Sequence, residues 1–289
     1  MKESKDNNHE HIEKNTTNDT EYNDTEYHPD RHDEFMKKLK FDYKFDKKDD
    51  RDYKYSDLLG VSIQDTLPPV VDLRQKFLPV FNQQDINSCV SNSVAACVRY
   101  IYNKEGHGIF NPSRLFIYYN GRKISNLPAN QDTGLSMRNG YASVATYSVC
   151  SEETWPYITY KYPVLPSQNA YNEAKTHKSF QYLSLNQDLN QIRSCLASGF
   201  PVSFGATLYE SFLSPIVAKT GIIPDPNIKL EKVIGGHGIF LCGYDDKQKY
   251  FIGQNSWSNT WGMNGAFMIS YNYIMSQNCV DFWTPRVFQ

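Results

Sequence analysis

Three short segments of the sequence carry the side chains that nucleophilic catalysis needs. Cys89 comes directly before an apolar stretch with helical spacing that ends near Gly106, so its thiol lies at the N-terminus of a predicted helix. The positive end of a helix dipole favours thiolate over thiol. His237 precedes a predicted strand, and Asn255 follows another. Because a cysteine nucleophile needs a base and the base needs an orienting partner, these three residues form a complete set.

A fourth requirement is a donor for the oxyanion that forms when a thiolate attacks a carbonyl. Gln83, six positions before Cys89, carries a side-chain amide that can act beside the Cys89 backbone N–H. Each residue also has an ordinary structural interpretation. Cys89 alone is a small buried side chain, His237 alone is a core histidine, and Asn255 and Trp257 are turn and core residues. The combination with Gln83 favours catalysis over these separate interpretations.

The elements that must position these residues change in character along the chain. Besides the helix after Cys89, helices are predicted at about 112–120, 136–147 and 186–198. Strands are predicted at 201–206, 237–244, 250–254, 266–271 and 280–283. Helices first and strands later indicate an α+β fold. We therefore expect a mainly helical unit at 67–178, which holds the nucleophile, and a β-rich unit at 179–289, which holds His237 and Asn255.

The motifs together resemble the papain-like, or C1, cysteine peptidases over residues 67–289. The spacing of 148 positions between Cys89 and His237 fits that family. Four segments are similar to family motifs: 67–74, 79–89, 152–157 and 255–262. The resemblance implies a two-lobe fold, with a helical left lobe that carries the nucleophile helix and an antiparallel β-barrel right lobe. An N-terminal extension precedes both lobes.

The resemblance also implies catalytic roles and a reaction. Cys89 would be the nucleophile in a thiolate–imidazolium pair with His237, and Asn255 would orient the imidazole. Gln83 would stabilise the oxyanion, and Trp257 would shield the hydrogen bond between His237 and Asn255 from water. The reaction would be hydrolysis of a peptide or protein substrate through an acyl-enzyme, with no cofactor and no metal.

Substrate binding is assigned by the same resemblance to Gly134, Gly236 and Trp257, of which Gly134 would let an extended peptide backbone approach closely. The sequence departs from the family at Ile86, where a cysteine usually stands. The bridge across the cleft that this cysteine usually makes is therefore absent. Val90 and Gly236 also replace common residues, which leaves the side-chain preference of the substrate sites open.

Charge divides the 289-residue chain into two segments. Residues 1–60 carry 12 Lys and Arg against 17 Asp and Glu, and the remainder carries 18 against 15. The body contains no basic run, so we expect no nucleic-acid partner. It also contains no apolar run of the roughly 18–20 residues that a membrane helix requires, so we expect no membrane association.

The cysteines and the N-terminus bear on the compartment. The six cysteines include no CxxC pair, which excludes a zinc knuckle or a thioredoxin-type site and predicts free thiols. The first residues have no apolar stretch of the signal-peptide type. We therefore expect an intracellular, cytoplasmic or virion-packaged protein rather than a lysosomal one.

The N-terminal extension, residues 1–66, has two parts. Residues 1–30 are polar and predict a flexible tail, with histidine-mediated metal binding as an alternative. Residues 31–60 are richer in aromatics: a short helix would present Phe35 on one face, and Phe41, Tyr43 and Phe45 alternate with charged residues as in an extended strand. We interpret this part as a pro-segment that packs near the cleft as an intramolecular inhibitor. The alternative is an unstructured linker.

Three classes of function are consistent with the sequence. The first is an active cysteine endopeptidase that is made as a zymogen. The second is an acyl-transferase or ligase on the same scaffold, and the third is a catalytically silent peptide-binding module. The presence of Cys89, His237, Asn255 and Gln83 argues against the third class.

Overall fold

Helices dominate the first part of the protein. The computed structural model describes residues 25–58 and 67–287 of the chain. The α-helices in these ranges are α1 (His32–Lys38), α2 (Tyr55–Leu58), α3 (Cys89–Lys104), α4 (Arg114–Ile124), α5 (Met137–Tyr147), α6 (Gln168–Ala174), α7 (Leu189–Ala197), α8 (Pro215–Thr220) and α9 (Tyr271–Ile274). Side chains at the N-caps of three of the longer helices accept backbone N–H bonds: Ser113 for α4, Ser136 for α5 and Asp188 for α7. Such caps satisfy donors that the first helical turn leaves unpaired.

One eight-stranded sheet makes up most of the second part. Its strands are β1 (Val70–Asp72), β2 (Phe180–Leu185), β3 (Val202–Tyr209), β4 (Ile222–Ile223), β5 (Val233–Asp245), β6 (Tyr250–Gln254), β7 (Ala266–Ser270) and β8 (Cys279–Val287). The strand order is β2-β8-β3-β5-β6-β7-β4, and β1 pairs with β5. The pairs are antiparallel apart from β4 with β7, which is parallel. The long β5 contacts β1, β3 and β6 and is therefore the central strand.

Two buried hydrophobic clusters lie on the two sides of the cleft. The helical cluster surrounds α3 and extends to Phe240 and Trp283 of the sheet, whereas the β cluster lies between the sheet and α7. The N-terminal extension contributes to both, because Phe35 joins the β cluster and Tyr43 joins the helical cluster. The extension is therefore packed across the boundary between the two halves.

The α+β fold expected from the sequence is confirmed, and most predicted elements are present with shifted ends. β5 begins at Val233, before the predicted 237, so His237 lies within a strand rather than at its entrance. Residues 41–45 are extended but form only a single bridge, between Asp42 and Gly236.

The tail prediction for 1–30 falls mostly outside the described residues. None of the described helices combines the length and apolarity needed to cross a membrane.

Candidate active site

Cys89 begins α3 and faces β5. Its Sγ accepts a hydrogen bond of 3.3 Å from the backbone N–H of Gly238, the residue next to His237. The preceding Ser88 makes no side-chain cap, so the first turn of α3 does not use a serine oxygen to satisfy its amides. The thiol therefore lies at an uncapped helix N-terminus, next to the strand position of the histidine.

His237 and Asn255 are brought together by neighbouring strands. His237 Nε2 lies 2.9 Å from Asn255 Oδ1, which also accepts the backbone N–H of Ser256 at 2.8 Å. The Trp257 ring stacks on the imidazole with centroids 5.1 Å apart. Because Nε2 is engaged, Nδ1 is the nitrogen that remains for proton transfer, and within the described part of the chain it is buried without a hydrogen-bond partner.

Gln83 is held beside His237 and Asn255 by hydrogen bonds to its side chain and to its backbone. Its Oε1 accepts the Ser256 hydroxyl at 2.7 Å, and its backbone carbonyl accepts the Tyr157 hydroxyl at 2.7 Å. The amide Nε2 is thereby turned toward two carbonyl oxygens, those of Ile86 at 3.3 Å and Lys40 at 3.4 Å. Lys40 belongs to the extension, so a backbone carbonyl of the extension lies against the predicted oxyanion donor.

The aromatic side chains of the extension cover this group of residues. The Phe41 ring makes edge-to-face contacts with His237 and Trp257, at centroid distances of 6.0 and 5.9 Å. Tyr43, which is 5% exposed, fills the space beside β3. As a result Cys89 is only 1% exposed and His237 is fully buried.

The backbone of the extension runs between the two predicted substrate-binding glycines. Tyr43 N–H donates to the Gly236 carbonyl at 3.1 Å, and Lys44 N–H donates to the Leu135 carbonyl at 3.0 Å. Gly134 has a φ of +67°, and a Cβ there would lie 1.8 Å from the Asp42 carbonyl oxygen. The glycine therefore permits both the local turn and the approach of a peptide backbone.

Polar contacts beyond Tyr43 hold the extension to a helix and a strand of the body. The Asp46 carboxylate accepts the Trp283 indole N–H at 2.7 Å and the Arg138 backbone N–H at 3.2 Å. Arg138 also forms a largely buried ion pair with Asp52, at 2.5 Å. These contacts join the extension to α5 and β8, both of which contribute side chains to the helical cluster.

Burial shifts the pKa values of the Cys89 thiol and the His237 imidazole. It raises the pKa of Cys89 to about 11, even though backbone N–H bonds oppose the rise. It lowers the pKa of His237 to about 4, although the hydrogen bond to Asn255 works in the other direction. Both groups are therefore neutral near pH 7 while the extension is in place, because a charged pair would lack water around it.

The structure thus brings together Cys89, His237, Asn255, Gln83 and Trp257, and places Gly134 and Gly236 along the same cleft. Sequence reasoning gave no role to Ser256, although it lies inside the asparagine motif and orients the amide of Gln83. It also missed Asp281, which accepts a hydrogen bond from Tyr43. No local pattern marks Asp281, since it is a single acid in a strand.

Metal ligands and disulfides are not part of the described site. No cluster of three or more potential metal ligands occurs in residues 25–58 and 67–287. All six cysteines fall within these ranges and are free and buried.

The comparisons with known proteins agree with the fold. The family model described as papain family cysteine protease matches residues 67–280. The chain therefore belongs to the papain family of cysteine proteases. It is 36% identical to a peptidase C1-like protein of Acanthamoeba polyphaga mimivirus, over 83% of this chain and 80% of the relative.

Two solved structures are similar to this one. Xylellain, a cysteine protease from Xylella fastidiosa, superposes with a TM-score of 0.79 at 32% identity, over 86% of this chain and 96% of xylellain. A digestive procathepsin L 3 from Tenebrio molitor larval midgut superposes with a TM-score of 0.62 at 19% identity, over 79% and 72% of the two chains. The second similarity is one of fold alone.

Proposed function

We propose that this protein is a cysteine endopeptidase zymogen in which Cys89 is the nucleophile and the N-terminal extension blocks the substrate cleft. The observation that carries the proposal is the position of the extension backbone. Its backbone N–H groups donate hydrogen bonds to the carbonyls of Gly236 and Leu135, and its Lys40 carbonyl accepts from the Gln83 amide. A peptide thus already occupies the groove beside the thiol, with its backbone bonded as a bound peptide would be.

The geometry supports a balanced reaction once the extension has left. His237 Nδ1 accepts the Cys89 proton, and the thiolate forms a C–S bond to the substrate carbonyl carbon. The oxyanion accepts hydrogen bonds from Gln83 Nε2 and the Cys89 N–H. When the C–N bond breaks, His237 returns the proton to the leaving amine. Water then hydrolyses the thioester and regenerates the thiol.

Asn255 acts in this scheme through His237. Its Oδ1 lies 2.9 Å from Nε2 and accepts a hydrogen bond from the N–H of this nitrogen. That bond fixes the tautomer in which Nδ1 is the base and stabilises the imidazolium after proton transfer. Trp257 covers one face of the ring, which strengthens the bond by lowering the local dielectric.

We expect Gln83→Ala to lower kcat by about 10²–10³-fold, because a preorganised oxyanion donor acts mainly in the transition state. Steady-state kinetics in the full chain carrying Tyr43→Ala, which opens the cleft, give kcat and KM separately. KM should change less than about threefold. A raised KM with unchanged kcat would contradict the role, and thermal unfolding of the same samples checks that the fold survives.

The docking of the extension should depend on the charge of Asp46. Burial and the nearby Asp281 raise the pKa of Asp46 to about 6 from a usual 3.8. The raised pKa means that the docked form favours the protonated, neutral Asp46. This stabilisation of docking is therefore fully present below about pH 3.8 and is lost as the pH rises through about 6. His237 acts in the opposite sense, since its lowered pKa weakens docking as the pH falls from about 6.5 through about 4.

Asp46→Asn should isolate the first effect, because asparagine is neutral and keeps an oxygen for the Trp283 indole. At pH 7.5 the rate of Cys89 alkylation by iodoacetamide should be about tenfold lower in Asp46→Asn than in wild type. At pH 4 the two rates should agree. Asp50→Asn, at a carboxylate 91% exposed in the same segment, is the matched control and should leave the profile unchanged. A difference between Asp46→Asn and wild type that is constant across this pH range would contradict the assignment.

A further inference from the structure

The pocket that Tyr43 fills is shaped by two glycines on adjacent strands. A Cβ at Gly205 would lie 2.2 Å from the Tyr43 ring, and a Cβ at Gly236 would lie 2.9 Å from the Tyr43 Cβ. Gly205 is on β3, and Gly236, on β5, directly precedes His237. The absence of side chains at these two positions creates a slot for an aromatic ring next to the reacting groups.

The far end of this slot carries a carboxylate. The Tyr43 hydroxyl donates to Asp281 Oδ2 at 2.8 Å, and the Asp46 backbone N–H donates to the same oxygen at 2.9 Å. In the part of the chain that the structure describes, both hydrogen-bond donors to this carboxylate belong to the extension. Arg138 acts electrostatically on this carboxylate, but its guanidinium is hydrogen-bonded to Asp52.

Removal of the extension takes both hydrogen-bond donors away from the Asp281 carboxylate. While the extension is docked the residue is half-buried, and its carboxylate accepts both of these hydrogen bonds. When the extension leaves, water takes the place of the two donors. A ligand that refills the slot with a ring but brings no donor would remove that water and leave a charged acceptor unpaired, which is costly.

We propose that Asp281 is a specificity-determining residue, and that the slot formed by Gly205, Gly236 and Asp281 selects a substrate tyrosine over phenylalanine. The proposal rests on the proposed function, in which the extension occupies the substrate cleft. Tyr43 acts as an internal copy of the preferred side chain, with its hydroxyl placed at the donor position. Sites built to hydrogen-bond a substrate hydroxyl discriminate against the analogue that lacks it.

The size of the preference follows from the exposure of the carboxylate. A hydrogen bond to a charged group in a partly wet site corresponds to about 10- to 100-fold between the two ligands. Asparagine keeps an oxygen that can accept the hydroxyl but carries no charge, so the discrimination should fall several-fold in Asp281→Asn. Asp281 has a φ of +58°, a conformation that asparagine also tolerates, so this substitution changes the charge without adding backbone strain.

The first experiment needs no substrate. Tyr43→Phe in the full chain keeps the ring and removes the hydroxyl, and Cys89 alkylation by iodoacetamide reports how often the extension leaves. We expect the rate to rise about tenfold in the wild-type background and less than about threefold in Asp281→Asn. An equal rise in both backgrounds would show that the hydroxyl gains nothing from the carboxylate and would overturn the proposal.

The second experiment uses alanine-based peptides in which one tyrosine or one phenylalanine is moved along the sequence. Binding is measured by calorimetry to the full chain carrying Tyr43→Ala and Cys89→Ala, and turnover is measured with Tyr43→Ala alone. Tighter binding of one tyrosine peptide by 10-fold or more, reduced several-fold in Asp281→Asn, supports the proposal. Equal binding of the matched pairs at every position, or no binding of either, overturns it.

The two readouts separate this inference from the proposed function. Preferential binding of a tyrosine peptide with no cleavage of any peptide would retain the slot and reject the peptidase mechanism. Cleavage at equal rates with either aromatic residue would retain the peptidase and reject the role of Asp281.

Discussion

Replacement of Cys89 by alanine is expected to lower kcat for peptide hydrolysis by about 10⁴-fold or more, because the covalent step has no other nucleophile in the site. The substitution removes only the Sγ, which accepts the Gly238 N–H, so the fold should tolerate it. The measurement is initial-rate hydrolysis of a fluorogenic peptide by the full chain carrying Tyr43→Ala, in which the cleft is open. Mass spectrometry before and after the assay verifies that the chain is intact.

The matched control is Cys97→Ala, which removes a second buried thiol from the same helix. Cys97 bonds to the Ser203 hydroxyl rather than to β5, so its loss should change kcat by less than about threefold. His237→Ala should cost about as much as Cys89→Ala, and the double variant little more, since the pair acts as a unit. Multiplicative losses in the double variant would contradict a shared proton transfer.

Opening of the cleft has the second largest expected effect. Tyr43→Ala should raise the activity of the full chain toward a peptide substrate by about 10²-fold or more. Tyr43 is 5% exposed, and loss of a buried aromatic side chain costs about 3–5 kcal/mol. That cost applies to the docked extension and not to the open cleft, so the equilibrium shifts toward the open form by about a factor of ten for each 1.4 kcal/mol.

Tyr53→Ala offers the same substitution in the same segment at an exposed position. Its side chain is 67% exposed, and its backbone carbonyl accepts hydrogen bonds from the Ser184 N–H and hydroxyl, which the substitution leaves in place. We expect its activity to stay within about twofold of wild type. Equal activity of Tyr43→Ala and wild type, with the extension still attached in both, would rule out inhibition by the docked segment.

The elements next to the candidate site residues could be predicted because they depend on local pattern. The apolar spacing after Cys89 identified α3, and the glycine and aromatic motifs identified the strand that carries His237 and the strand that ends before Asn255. Each of these signals lies within a few residues of the side chain it positions. The fold class followed from the order of helices and strands along the chain.

The path of the extension could be predicted only in part, because it depends on contacts between distant residues. The alternation of Phe41, Tyr43 and Phe45 suggested one buried face, but Phe45 is 59% exposed and lies outside the cleft. The partner of Tyr43 is Asp281, 238 positions away, and no sequence period links them. The thiolate expected from the dipole of α3 is also opposed here, since burial outweighs the dipole.

The cover over Cys89 has a consequence for the chemical lifetime of the enzyme. Oxidation of cysteine to sulfenic and sulfinic acids proceeds through the thiolate and requires access by the oxidant. In the docked form the thiol is 1% exposed and its pKa is raised to about 11, so both conditions are absent. We therefore expect the docked form to keep the Cys89 thiol reduced and to lose its resistance to peroxide when the extension leaves.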